Sequence, residues 1–480
     1  MQQQTLSLGK FHFNNFSSVS KIAMPFAMVL ALSLLPMQSL RAQTYSVIHN
    51  FTAGSDGAVP YAGVTIDRAG NLYGTTYEGG RDYGAVYQLK LRNGSYTVNP
   101  LYEFTRGADG FYPLARVVFG PDGVLYGTTS EGGNNNGVVF KLQPQPAACV
   151  TVLCAWRETV LYTFPAIDAG PEFGDVIFDA AGNMYGTTAL GGADGAGAVW
   201  ELTPPGTWNT ETLLNSFTVG NGEYAYGGVI FDSSGNLYGT TFLGGANRDG
   251  VVYQLVESAG SWTENVLHNF TGGNDGSLPV GGLVFDASGN LYGAATNAGA
   301  GGGGTIFELS PPGTWTTFTP IYSFSFSGSE ECVFGIAGPG PWAQLTMDSA
   351  GNLYGTTCAD GTHHYGSVFE LKPSNGGWTY TDLYDFTDGS DGAYPVSNAI
   401  CDSAGNLYGT GLRRRNRWVR CRVEDIGRWL SSDWWPTASP ITLTLASPSF
   451  GFARDRLFSP AVGERVGTNA GSQRLLSREA

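Results

Sequence analysis

The chain has 480 residues, with 25 Lys and Arg against 40 Asp and Glu, and only 14% charged side chains beside 70 Gly, 24 Tyr and 27 Phe. That composition suits many short strands joined by tight turns and excludes long amphipathic helices. Residues 43–411 hold 34 acidic and 10 basic residues, a net of −24, a field that repels phosphate backbones and rules out nucleic acid as a partner while leaving cations and neutral polymers.

Residues 1–42 carry Lys10, Lys21 and Arg41 and no acid, and the apolar stretch from Ile22 to Met37 is followed by Ser39-Leu40-Arg41-Ala42. This pattern reads as an export signal cut after Ala42. A membrane anchor needs roughly 20 apolar residues, whereas this run has 16 and is interrupted by Pro25, Ser33 and Pro36. The mature chain is therefore expected to be exported, to the extracellular space, cell surface or periplasm, without a transmembrane anchor.

The mature chain opens with Tyr45-Ser46-Val47-Ile48-His49-Asn50-Phe51-Thr52, and then Gly70-Asn71-Leu72-Tyr73-Gly74-Thr75-Thr76 begins a line that returns at Gly123, Gly182, Gly235, Gly289, Gly351 and Gly405. A period of 53 to 62 residues marks a stacked or radial repeat. In the fourth copy four strands are predicted, at Gly228–Phe231, Leu237–Thr240, Val251–Leu255 and Trp262–Phe270. Between the first two, Asp232-Ser233-Ser234-Gly235-Asn236 offers a carboxylate to backbone donors and a Gly for positive φ, a tight hairpin. Four antiparallel strands make one propeller blade. Tyr45–Thr52 matches the end of a fourth strand, as at Leu101–Thr105, and the last copy lacks its third and fourth strands, so the amino terminus can complete it and close a ring without exposed edges. The prediction is an all-β, seven-bladed β-propeller of four-stranded antiparallel blades over residues 43–411, with the last blade incomplete.

The recurring Phe-Thr-x-Gly-x-Asp-Gly-x-x-Pro, Asp-x-x-Gly-Asn-Leu-Tyr-Gly-Thr-Thr and Gly-Gly segments resemble the GloVer (Gloeo/Verruco) tandem repeat of choice-of-anchor bacterial surface proteins, over about residues 45–411. The resemblance implies export and a propeller-like array, and no established activity or catalytic residues. Members often end in a sorting or anchoring signal, and none is evident here.

In a propeller the loops entering each first strand and those between second and third strands open on one face. Asp56, Asp109, Asp275 and Asp391 fall at matching places in the entry loops, with Asp168 a looser equivalent. A broken ring of carboxylates of this kind suits Ca²⁺ or sugar hydroxyls. The simpler reading is that each Asp shapes its own Asp-Gly turn, and likewise that Thr240 and Thr241 pack at a strand end. Blade six departs from the pattern, with an entry loop swollen from Ser325 to Trp342 and with Cys358, His363 and His364 after its second strand. Its spacing supports no zinc site, and no cofactor is predicted beyond Ca²⁺. Cys332 and Cys358 are expected on one face, where export favours a disulfide; Cys149 and Cys154 form a weaker pair. No nucleophile elbow, phosphate loop or Ser-His-Asp pattern occurs. The expected function is thus a binding or surface-interaction module for an extracellular ligand, a glycan or a cation. The alternative is a carbohydrate-active hydrolase or lyase in which Glu330 or Glu331 faces a second acid, about 5 Å away for a retaining mechanism.

After Gly411 the repeat gives way to Leu-Arg-Arg-Arg-Asn-Arg-Trp, and residues 412–480 are expected to be irregular, with Ile441–Leu445 as a substitute for the missing strand. If Arg413–Arg420 is encoded CGG CGG CGC AAC CGG TGG GTG CGG, reading one base later gives Gly-Gly-Ala-Thr-Gly-Gly-Cys, much like Gly191-Gly192-Ala193-Asp194-Gly195. The tail therefore reads as the product of a frameshift.

Overall fold

A computed structural model of the protein describes residues 44–134, 136–145, 156–165, 173–204, 208, 210–310, 317–326, 339–413 and 427–433. These lie in the first of two compact units, Met1–Trp435. Every regular element among them is a β-strand, and no described helix is long and apolar enough to cross a membrane.

Six sheets are four-stranded antiparallel blades, each built from one repeat in chain order. In the fourth repeat the strands are Ile230–Phe231, Leu237–Thr241, Val251–Ser258 and Ser261–Asn269. The hairpin between the first two follows from its Asp. Asp232 Oδ1 accepts the N–H groups of Ser234 and Asn236 at 2.8 and 2.9 Å, and Oδ2 accepts Asn236 Nδ2 and the Tyr238 hydroxyl at 2.7 and 3.0 Å. Gly235 sits at φ 89°, where a residue with a side chain is strained. The same carboxylate arrangement recurs at Asp67, Asp179, Asp286, Asp348 and Asp402.

The first strand is two residues long rather than the four predicted, because the backbone ahead of it serves a neighbour. The Gly227 carbonyl accepts the Thr187 hydroxyl of the preceding repeat at 3.1 Å. This clasp repeats as Thr75 to Ala115, Thr240 to Gly281 and Thr356 to Ser397, and Thr410 of the seventh repeat makes it to Ala62 of the first at 2.9 Å. The second strand, Leu-Tyr-Gly-Thr-Thr, is buried along its whole length because both its faces meet other repeats. Core clusters accordingly span neighbours: Val199 and Phe217 of the third repeat pack with Leu237, Tyr253 and Leu255 of the fourth.

The seventh sheet differs. Its one antiparallel pair is Ile400–Cys401 with Leu407–Arg413. Gly427–Asp433 lies beside Leu407–Arg413 in parallel, with Gly409 opposite Trp429, and Val47–Phe51 lies parallel to Gly427–Asp433 on its other side. The tail expected to be irregular from residue 412 is regular in two places: the repeat strand runs past Gly411 to Arg413, and Gly427–Asp433 takes the third-strand place for which Ile441–Leu445 was the expected substitute. The physical reason is that the flanking strands offer unpaired N–H and C=O groups to any extended segment. The 13 residues between Arg413 and Gly427 give the length a parallel connection needs. Ile441–Leu445 lies outside the described residues.

Val47–Phe51 packs like the outer strand of a blade. Tyr45 stacks on Tyr384 of the sixth repeat at 4.0 Å and 14°, just as Phe318 stacks on His268 and Tyr380 on Tyr322 between other neighbouring outer strands. Val47 and Phe51 are fully buried, Phe51 in a cluster with Val64, Leu72 and Tyr87 of the first repeat and Tyr408 of the seventh.

Candidate functional site

The entry loops bring Asp56, Asp109, Asp275 and Asp391 into equivalent places, and each carboxylate serves its own loop. Asp56 accepts Thr52 N–H at 2.9 Å, the Thr52 hydroxyl at 2.5 Å and His49 Nε2 at 3.0 Å. Asp275 repeats this with Thr271 and His268. In Asp109 and Asp391 a tyrosine hydroxyl, from Tyr102 or Tyr384, replaces the imidazole at 3.0 Å, and the backbone N–H of Gly107 or Gly389 adds another donor. Burial pushes the Asp56 carboxyl up, but the bonds from His49 and Thr52 outweigh it and hold it below the usual carboxylate range. The Gly after the Asp is required too, since a Cβ on Gly57 would lie within 3 Å of three atoms of the buried Thr76 side chain.

Among the described residues no three His, Cys, Asp or Glu side chains converge to hold a metal ion. His363 is exposed, and His364 meets Phe326 edge-on at 5.9 Å. Cys358 is buried and disulfide-bonded, whereas Cys401 is a free thiol. Asp168, Cys149, Cys154, Glu330, Glu331 and Cys332 lie outside the described residues.

What the loops do build is a channel. A cavity of 580 Å³ is lined by residues of all seven repeats. The residue just ahead of each first strand's leading apolar side chain faces it: Gly63, Arg116, Asp175, Gly228, Gly282, Gln344 and Asn398. Arg116 reaches across to Asp175 through both its backbone N–H, 3.1 Å to Oδ1, and its Nε, 2.5 Å to Oδ2, with each side chain about a fifth exposed. Gln344 donates to the Leu283 carbonyl at 2.7 Å. The glycines allow the close approach, since a Cβ on Gly281 would sit 2.5 Å from the Ala343 backbone.

Partly exposed Tyr61 and Phe173 line the same cavity, backed by buried Tyr226 and Trp342. Phe173 and Tyr226 meet edge-on at 5.6 Å. These rings belong to one apolar cluster with Val59, Tyr224, Leu278 and Tyr394. The last four, together with Tyr112, hold φ between 48° and 59°, a left-handed conformation costly for side-chain-bearing residues, and all but Tyr224 precede a proline, which restricts them further. Hydrogen bonds over-determine it. Tyr224 N–H donates to the Ala196 carbonyl and its own carbonyl accepts Phe242 N–H, both at 2.9 Å, and Tyr394 is fixed the same way by Tyr365 and Leu412. The strain is thus held at equivalent places in five repeats.

Beside the rim, Glu78 is half-buried, its Oε2 has no hydrogen-bond partner, and burial together with nearby Asp82 pushes its carboxyl up to about 7. Burial raises Glu158, Glu264 and Asp382 to about 7 as well. For these groups the folded state holds its proton above the unfolded value, so their contribution to stability is complete below about pH 4.5 and is lost as pH rises towards 7. Asp56, Asp232, Asp348 and Asp402, held below 3.8 by their hydrogen bonds despite burial, act oppositely, and their contribution is lost only on further acidification. The thermal midpoint is therefore expected to be higher at pH 5 than at pH 8. A midpoint that is flat or rises over that interval would contradict the assignment.

Sequence reasoning missed the channel residues. Their signal is a position, just ahead of Val64, Val117, Val176, Val229, Leu283, Leu345 and Ala399, where seven near-identical repeats carry chemically different side chains.

Six stacked four-stranded blades around a lined channel define a repeat β-propeller. The chain belongs to the Gloeobacter/Verrucomicrobia repeat family, whose model matches residues 37–170 and 171–417. None of the curated proteins matches it. Among solved structures, a putative 6-phosphogluconolactonase from Bacteroides uniformis is 16% identical at a TM-score of 0.46, over 70% of this chain and 86% of that one. A gluconolactonase from Xanthomonas campestris is 14% identical at 0.34, over 62% and 94%. A protein of unknown function from Dyadobacter fermentans is 10% identical at 0.40, over 70% and 96%. A likeness this low carries none of their activities to this chain.

Proposed function

We propose that the seven repeats close into one ring and that the chain is an exported binding module taking a neutral polyhydroxylated ligand, of the carbohydrate class, at the mouth of the axial channel. Closure is supported by the Thr410 clasp to Ala62 and by the Tyr45 stack on Tyr384, each the counterpart of a contact between adjacent blades. The observation that carries the function is the lined channel itself, where the rings of Tyr61 and Phe173 sit with the amides of Gln344 and Asn398 and the paired Arg116 and Asp175. Aromatic faces suit the C–H faces of a sugar, and fixed amide and ion-paired groups suit its hydroxyls. A neutral ligand is favoured because Arg116 is already neutralised and the surrounding domain is strongly acidic. Among the described residues the carboxylates lining the cavity are already engaged, Asp175 by Arg116 and Asp179 within its own hairpin turn, which favours binding over acid-base chemistry.

A glycan array probed with the mature chain, with and without Ca²⁺, tests this reading. Binding of neutral glycans that falls about tenfold in Phe173→Ala and in Asn398→Ala is expected, a loss of about 1.4 kcal/mol. Absence of any glycan binding, or binding indifferent to both substitutions, overturns it. Export also bears on Cys358, whose partner is proposed to be Cys332. Peptide mapping without reductant should recover that pair, and linkage of Cys358 to any other cysteine would refute it.

A further inference from the structure

We infer that the third-strand place of the seventh sheet is a receptor for an antiparallel β-strand supplied by another polypeptide and carrying the third-strand pattern of this repeat. The inference rests on the closed-ring reading, because Val47–Phe51 must form the outer wall of the slot.

The six complete blades show what the place is shaped to hold. In each, an antiparallel strand sets an aromatic opposite the central Gly, as Tyr87 on Gly74, Tyr253 on Gly239 and Phe369 on Gly355, and a Leu opposite the leading residue, which is Leu in five blades and Met184 in the third. The next strand pairs with it through a register shift just before that aromatic, as between Val252 and Tyr253, with a second shift in the fifth blade. Both walls keep these features in the seventh sheet. The inner wall retains Leu407, Tyr408, Gly409 and Thr410, all but Gly409 among the most deeply buried side chains. The outer wall retains the closing Phe51 and the bond from His49 to Asp56, which recurs as His268 to Asp275 in the fourth blade and with a tyrosine donor at Asp109 and Asp391.

The resident segment does not match these walls. Gly427–Asp433 runs parallel to both, and its ladder with Val47–Phe51 is irregular between Val47 and His49. Parallel ladders are less stable per residue than antiparallel ones. A strand of the repeat's own pattern would regain the antiparallel ladder on both sides, by the β-augmentation that other sheet edges use to bind peptides. The chain's own six matching strands are already committed inside their blades, so the occupant comes from a second polypeptide.

The test uses the full mature chain and a fluorescein-labelled peptide with the sequence of Gly250–Ser258. Fluorescence anisotropy should show saturable binding with a Kd of about 10 μM. The same peptide with Tyr253→Gly should bind at least about tenfold more weakly, and the chain variant Leu430→Pro, which removes one backbone donor from the resident strand, should bind the parent peptide more tightly. No saturable binding, or equal binding of both peptides, overturns the proposal. Hydrogen exchange of the unliganded chain separates this from failure of the ring reading: free exchange at Val47–Phe51 means the outer wall is missing, whereas protection there with no peptide binding means the slot alone is wrongly assigned.

Discussion

Deleting residues 43–52 is expected to destabilise the protein more than any single substitution in a blade. The deletion removes Phe51, which is fully buried against Tyr87 at 4.8 Å, and Val47, and it strips Tyr45 from its stack on Tyr384. Loss of one buried Phe side chain alone costs about 3–5 kcal/mol. The deletion also uncovers an apolar face of the first repeat, where Val64, Leu72 and Leu89 are wholly buried, and frees a sheet edge for aggregation. Calorimetry should show a lower first transition and loss of a single cooperative event, with the first and seventh repeats melting ahead of the others. An unchanged melting profile would mean that the amino-terminal strand contributes nothing to closure.

The second large effect is expected at the centre of a blade. Gly239 faces Tyr253 across the ladder, and a Cβ there would lie 2.4 Å from the Tyr253 hydroxyl oxygen and 2.6 Å from Cζ. Tyr253 is fully buried and cannot swing away. Gly239→Ala should therefore cost about 1–3 kcal/mol through overpacking. Tyr253→Val alone should also destabilise, because it opens a cavity. The two together should cost less than their sum, since the smaller side chain vacates the space the new methyl needs. Urea titration of the four proteins measures the coupling, and strict additivity would contradict the contact.

The elements that could be read from the sequence are those whose cause is local. The Asp232 hairpin needs only five consecutive residues, so its five counterparts were legible one by one. The four strands of a blade followed from their apolar content, although Gly228 and Val229 were read as strand where the backbone serves the preceding repeat instead. Tyr45–Thr52 was legible as an outer strand because it repeats Leu101–Thr105. Gly427–Asp433 was not, because it carries no repeat pattern and its placement depends on an open edge created elsewhere. The candidate site divides the same way. Asp56 and its counterparts were seen because they recur, and that recurrence reflects their work within each turn. Arg116, Asp175, Gln344 and Asn398 were missed because they do not recur; only the folded array brings such dissimilar residues to one cavity.

The central claim is that seven repeats close one ring through the amino-terminal strand, and native-state hydrogen exchange tests it most directly. The amides of Val47–Phe51 should be protected as strongly as those of the outer strands Ser95–Glu103 and Gly377–Asp385. Exchange of Val47–Phe51 within seconds, while those two strands stay protected, would contradict the account.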